Sequence, residues 1–220
     1  MGMAKKAVLI TGGARRIGAA LARGFAAAGY DVALHYHHSA KDAQALQQEI
    51  GAQLYQGDLT APHAATTLIK HVTEDFPNLS LLINNASTFP RRFLKETSEQ
   101  SIADDLAINL QAPLNLMREF AAQAAQAESI INMLDLSIES DHPAHFAYLV
   151  AKKALAGATQ MAAREYAGHI RINGICPGHV LPTEADPAHD PHSPPTRLED
   201  VVAAALALAA GAMTGELRKV

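Results

Sequence analysis

The sequence is poor in cysteine, in aromatic residues and in long apolar or basic runs, and each shortage removes a class of protein. Its 220 residues include one cysteine, Cys176. That residue cannot form an internal disulfide and has no thiol partner for a zinc site, so a small buried side chain in a reducing, cytoplasmic setting is expected. Lys and Arg number 18 against 22 Asp and Glu, a net charge of −4 without a basic stripe, which argues against a nucleic-acid partner. The longest weakly interrupted apolar stretch, residues 201–213, is mostly alanine, contains Gly211 and falls short of the roughly 20 residues that cross a bilayer. The opening MGMAKKAVLI has only four apolar residues after its lysines, too few for a secretory segment, and Lys6 stands where a myristoylation signal needs Ser or Thr. No Gly/Ser-rich or charged linker divides the chain. With 49% hydrophobic and 18% charged residues it can bury a full core, and residues 1–220 read as a single domain.

What is present is an alternation. Runs rich in Val, Ile and Leu at residues 7–10, 32–36, 53–57, 79–84, 129–133 and 171–175 are separated by segments of helical period. Those segments lie at 17–28, 43–50, 62–75, 98–126 and 146–166, with a last one at 198–210. The runs show no polar/apolar alternation, as parallel strands covered on both faces should not. The pattern predicts an α/β fold, a Rossmann-type doubly wound parallel sheet with helices on both faces. Two stretches break the rhythm. Pro113, inside the fourth helical segment, lacks an N–H and should kink or split the helix near residues 109–111. Residues 179–196 carry Pro182, Pro187, Pro191, Pro194 and Pro195 with few apolar side chains, and read as a long surface loop.

The first run leads straight into TGGARRIG, residues 11–18, which opens a helix. Glycines in such a turn let backbone N–H groups and the positive helix end approach a pyrophosphate. Gly12, Arg15, Ile17 and Gly18 are therefore candidate dinucleotide-binding residues, with Arg16 at the place of the usual middle glycine. A preference for NAD would put an acid at the end of the second strand. The residues there are His35, Tyr36, His37, His38 and Ser39. With no acid, and with Arg15, His37, His38 and Ser39 placed to face a 2′-phosphate, the cofactor expected is NADPH. A metal site is not expected, because successive strand residues point in opposite directions and no carboxylate or cysteine completes a set.

Tyr148 and Lys152 lie four apart at the start of a helical segment and so share a face. Behind a nucleotide-binding strand, turn and helix, the pair resembles the Tyr-x-x-x-Lys signature of the short-chain dehydrogenase/reductase family. The resemblance runs over nearly the whole chain. It takes in the turn at 11–18, Asp58 and Leu59 at the adenine contact, and NNAS at 84–87 with Asn85 and Ala86 at the fourth strand end. It continues with Asn109 as the helix asparagine, the Tyr148/Lys152 pair, and Pro177 with Gly178. Most of the family has a Ser about thirteen residues before the Tyr; here that residue is Asp135, and Ser137 is two places out of register. Asp135, Arg16, NNAS followed by Thr88 and Phe89, and the His-Tyr-His strand end are together similar to the pteridine reductase subgroup, which reduces dihydropterins and dihydrofolate.

That resemblance implies hydride transfer to a pterin or folate-like small molecule, with Tyr148 giving the proton. Lys152 is then expected to lower the tyrosine's pKa from its reference of about 10 and to bond the nicotinamide ribose. Asp135 hands Tyr148 a proton or polarises it, and Asn109 holds a helix opening that links Lys152 to water. Phe89 stacks on the pterin ring, with Ser87 and Arg16 at its polar edge. A homo-oligomer, dimer or tetramer, is implied as well. His142 and His145, flanking Pro143 just before Tyr148, are expected at the mouth of the site. The segment after Gly178 lacks the family's usual lid helices. The final TGELRKV begins a polar strand and stops short of the usual turn and tail. Substrate closure and one subunit contact of the family depend on these two pieces. The rival readings are an NADPH-dependent carbonyl reductase of the same family and an NADPH-binding protein without turnover.

Overall fold

The structure is a computed structural model that describes residues 5–180 and 195–220. The chain runs β1 (Ala7–Ile10), α1 (Arg16–Ala27), β2 (Asp31–Tyr36), α2 (Ala40–Ile50), β3 (Gln53–Gln56), α3 (Ala64–Asp75) and β4 (Leu79–Asn84). It continues through α4 (Glu99–Leu106), α5 (Ala112–Gln123), β5 (Ser129–Met133), α6 (Phe146–Glu165) and β6 (Arg171–Cys176). The last elements are β7 (His179–Val180), β8 (Pro195–Thr196), α7 (Leu198–Ala210) and β9 (Leu217–Lys219). Seven strands form one sheet in the order β3-β2-β1-β4-β5-β6-β9, and every pairing in it is parallel.

Alternate residues of each central strand feed opposite cores, which is why the apolar runs show no polar alternation. In β1, Ala7 and Leu9 face Leu68 of α3, Leu116 of α5 and Leu155 of α6, whereas Val8 and Ile10 face Leu21 of α1, Leu46 of α2 and Leu208 of α7. The strand order reverses between β1 and β4. In doubly wound sheets, ligands bind beyond the carboxyl ends of the strands at such a switch point.

Three local findings bear on that region. The predicted break at Pro113 is a π-helical turn, Ala107–Gln111, between α4 and α5. Proline cannot supply the N–H that an α-helix would aim at the Asn109 carbonyl, and the wider turn absorbs the mismatch. The polar last strand does form: β9 pairs with Gly174, Ile175 and Cys176 as the edge of the sheet, where polar side chains are tolerated. Most of the expected proline-rich loop, residues 181–194, lies outside the described residues, and its flanks β7 and β8 pair with each other in parallel. No described helix is long and apolar enough to cross a membrane. Cys176 is buried, and that burial pushes its thiol up to about 11.

Candidate active site

The turn after β1 is shaped by close backbone approach. Gly12 has a φ of +58°, and a Cβ there would lie 2.8 Å from Ala86 Cα; at Gly18 it would lie 2.3 Å from the Gly12 carbonyl oxygen. Neither position has room for a side chain. The turn is tied to the end of β4: the Thr11 hydroxyl accepts the Asn85 and Ala86 N–H groups at 2.9 and 3.1 Å, and the Asn85 amide donates to the Thr11 and Gly12 carbonyls at 2.9 and 3.0 Å. Arg16 adopts φ +50°, a left-handed conformation that glycine takes freely. Its side chain and that of Arg15 are exposed, and Arg15 lies 3.6 Å from Asp42. Ile17 is half-buried in the first turn of α1.

The end of β2 divides in two. His37 and His38 are exposed and stack on each other with centroids 3.6 Å apart, just before Ser39 and α2. Asp58 lies across from them; its bonds from the Thr60 N–H and hydroxyl, and secondarily the two imidazoles, hold its carboxyl below the usual range. Leu59 beside it is buried. His35, which sequence reasoning left without a role, points inward: its Nδ1 accepts the Gly12 N–H at 3.3 Å and its Nε2 donates to the Gly57 carbonyl at 3.1 Å. Burial lowers its pKa to about 4, so the ring is a neutral prop under the glycine turn. A titratable side chain inside an apolar strand was the available signal, since such a group must find partners. Among the described residues no cluster of His, Cys, Asp or Glu could hold a metal.

Beyond β5, Asp135 joins two elements. One carboxylate oxygen accepts the Ser137 N–H at 2.7 Å; the other accepts the Tyr148 hydroxyl proton at 2.8 Å. Tyr148 and Lys152 are both buried on α6. The Lys152 ammonium donates to the Met133 carbonyl at 2.6 Å and lies 5.6 Å from the Tyr148 ring centroid. Burial pushes the Lys152 pKa down to about 8. The phenol differs from the sequence expectation: burial, and then the Asp135 charge, raise its pKa well above the usual 10. Lys152 is committed to Met133, whereas Asp135 is in direct contact, so the carboxylate outweighs the ammonium.

Asn109, at the π turn, is fully buried, but its side chain turns to the loop after β4 rather than to Lys152. It accepts the Ser87 hydroxyl proton at 2.6 Å and donates toward the Thr88 carbonyl and hydroxyl, each at 3.3 Å. Buried Asp105 holds the same loop further on, through Arg92 at 2.9 Å. Sequence reasoning missed both this pair and Thr11, whose roles depend on loop paths that spacing does not encode. Phe89 projects from this loop with 52% of its surface exposed, face to face with His145 and edge-on to Tyr148. The Pro177 carbonyl accepts the Leu136 N–H at 2.9 Å, beside Asp135, and the Gly178 N–H donates to the Thr196 hydroxyl at 2.9 Å. Ser87, Phe89, Asn109, Asp135, Tyr148 and Lys152 thus form one connected group, and Gly12, Gly18, Asn85 and Ala86 form the adjoining turn. Among the described residues no hydrogen bond or ring contact joins Arg16 to Ser87 or Phe89.

The profile of the family described as short chain dehydrogenase matches residues 6–192. The chain is 33% identical to pteridine reductase 1 of Leishmania tarentolae, covering 80% of this chain and 77% of that protein. It is 30% identical to 3-oxoacyl-[acyl-carrier-protein] reductase FabG of Staphylococcus aureus, with 84% and 78% covered. Among solved structures it is similar to FolM alternative dihydrofolate reductase 1 from Brucella canis complexed with NADP, with a TM-score of 0.89, 27% identity, and 98% of this chain and 92% of that one covered. A short chain dehydrogenase from Burkholderia cenocepacia J2315 in complex with NADP gives a TM-score of 0.87 at 28% identity, with 98% and 96% covered.

Proposed function

Since the chain belongs to the short chain dehydrogenase family and is an oxidoreductase of that fold, we propose that it uses NADPH to reduce a dihydropterin or dihydrofolate-like substrate, with Tyr148 as proton donor. The observation that carries this reading is the 2.8 Å hydrogen bond from Tyr148 to Asp135. A carboxyl group in contact with the proton donor suits a substrate whose reduced atom neighbours a basic nitrogen. The identity to pteridine reductase 1 and the likeness to a dihydrofolate reductase structure support the same substrate class.

The residues present fit the cofactor. A turn that excludes a Cβ at Gly12 and Gly18 leaves room for a diphosphate to approach the N–H groups at the start of α1. Arg15, Arg16, Ile17, Asp58, Leu59, Asn85, Ala86, Pro177 and Gly178 would complete its site, and His37, His38 and Ser39 would meet a 2′-phosphate. NADPH, when bound, supplies the hydride. The rest of the work falls to the chain. A buried phenol with a raised pKa keeps its proton at neutral pH, so it can give that proton up only as it receives another. Asp135 relays it: a proton taken up from solvent on its carboxylate passes to Tyr148 Oη as the phenol's own proton goes to the substrate nitrogen, which returns Asp135 to the carboxylate that accepts the Tyr148 hydroxyl. No free phenolate forms. Lys152, still cationic below about 8, holds positive charge beneath the relay and would bond the nicotinamide ribose. Asn109 holds Ser87 and Thr88, and so the loop whose Phe89 would line one face of the substrate. A cytoplasmic homo-oligomer, dimer or tetramer, belongs to the same reading.

The similarity to FabG favours a second reading, a carbonyl reductase in which Asp135 stands where Ser usually does. Replacing Asp135 by Ser separates the two. Dihydropterin reduction should fall by about 100-fold or more if the carboxyl supplies the proton. A carbonyl reductase should keep or gain rate on ketones.

A further inference from the structure

His145 lies three residues before Tyr148 and is only 6% exposed. It caps the start of α6 with φ +58°, a conformation rare for a side chain of its size and retained where the surroundings demand it. Two bonds tie this corner to the loop after β4: His145 Nδ1 lies 2.9 Å from the Pro90 carbonyl, and the Phe146 N–H donates to the Arg92 carbonyl at 3.0 Å. The imidazole lies flat on Phe89, with centroids 3.7 Å apart and planes inclined by 10°. The Tyr148 ring meets Phe89 edge-on at 4.7 Å and 81°. One face of Phe89 is therefore covered by imidazole, its edge abuts the ring that carries the transferable proton, and half of its surface stays open.

We propose that His145 is a specificity-determining positioning residue: it fixes the plane of Phe89 so that the open face receives a flat heteroaromatic ring at a set height from Tyr148 Oη. The inference rests on the dihydropterin reading of the site. A half-exposed phenylalanine on a loop would otherwise lose rotamer freedom whenever a ligand stacked on it, and the His145 stack removes that cost in advance. His145 itself touches neither substrate nor the transferred proton.

The test is steady-state NADPH oxidation with dihydrobiopterin by the parent, His145→Asn, Phe89→Ala and the double variant, with NADPH affinity measured alongside. Asparagine tolerates the left-handed conformation, and its amide nitrogen lies where Nδ1 does, so the variant keeps the Pro90 bond and loses the ring. KM for dihydrobiopterin should rise about three- to tenfold, while kcat and NADPH affinity stay within about twofold. In the Phe89→Ala background the same substitution should add nothing. His145→Phe, a ring without the Nδ1 bond, should hold KM within about twofold of the parent and carries the test if the Asn variant does not fold. An unchanged KM in His145→Asn, an equal rise in both His145 variants, or effects that multiply with Phe89→Ala would overturn the proposal. Should the parent not turn over dihydropterin, the substrate reading fails. The stack is then read from folate binding to the NADPH-loaded protein: weaker binding by His145→Asn supports the inference, and equal binding overturns it.

Discussion

Protonating His35 should cost the protein both stability and the shape of its glycine turn, the proposed diphosphate site. The ring sits between Gly12 and Gly57, and a single tautomer, Nε2–H, satisfies both neighbours. A second proton on Nδ1 would face the Gly12 N–H instead of accepting it. Burial first, and nearby His37 after it, bring the pKa down from 6.5 to about 4. The unfolded chain thus takes up this proton near 6.5 and the folded chain only near 4. The stability is fully present above the higher value, is lost as pH falls between the two, and levels off below the lower. At about 1.36 kcal/mol per pH unit the whole loss is about 3 kcal/mol, and about 2 kcal/mol of it has occurred by pH 5. Urea denaturation at about pH 7, 6 and 5 measures this directly in the parent and in His35→Asn, which keeps an acceptor for Gly12 but does not titrate. The variant should be less stable at neutral pH yet lose about 2 kcal/mol less on acidification. NADPH affinity of the folded parent should fall only as the ring itself takes up the proton, near pH 4. Equal acid losses in the two proteins would refute the reasoning.

Gly18→Ala places a Cβ 2.3 Å from the Gly12 carbonyl, a backbone atom that cannot step aside, so NADPH binding should weaken by at least about tenfold or the fold be lost. Ordinary affinity in a fluorescence titration would contradict this. Because the Lys152 pKa is depressed to about 8 from 10.5, kcat/KM should decline as pH rises through about 8, and Lys152→Arg, charged throughout, should lack that limb. The sign for stability is the reverse: between those two values the unfolded chain still holds the proton, so Lys152's contribution rises with pH, as denaturation curves would show. Replacing His37 and His38 by Ala should weaken NADPH binding and leave NADH binding unchanged; equal weakening of both would show that these rings do not read the 2′-phosphate.

The doubly wound sheet is legible in the sequence because burial on both faces leaves a plain mark: uninterrupted apolar runs such as those of β1 and β4, separated by helical periods. Pro113 likewise marks the π turn by a missing N–H. Asp135, Tyr148 and Lys152 are legible as a group because helical spacing fixes the last two and a familiar interval places the first. What spacing does not carry is which partner comes within bonding distance. The direction of the Tyr148 shift follows from burial first and then from Asp135 at 2.8 Å, while Lys152 is bound to Met133. The partner of Asn109 follows from the path of the loop after β4, and the role of His35 from the strand register that sets Tyr55 beside it and Gly57 within reach. Its place before Tyr148 puts His145 near the mouth of the site, but its hold on Phe89 follows from the way α6 and that loop close on each other.

The account stands most directly on whether Tyr148 protonates a reduced pterin. NADPH oxidation with dihydrobiopterin, dihydromonapterin, dihydrofolate and simple ketones, followed by loss of the reduced nicotinamide absorbance in the parent and in Tyr148→Phe, measures it. The parent should turn over a dihydropterin and leave ketones untouched, and the variant should be slower by about 100-fold or more while still binding NADPH. Turnover of ketones alone, or a Tyr148→Phe rate equal to that of the parent, would contradict the account.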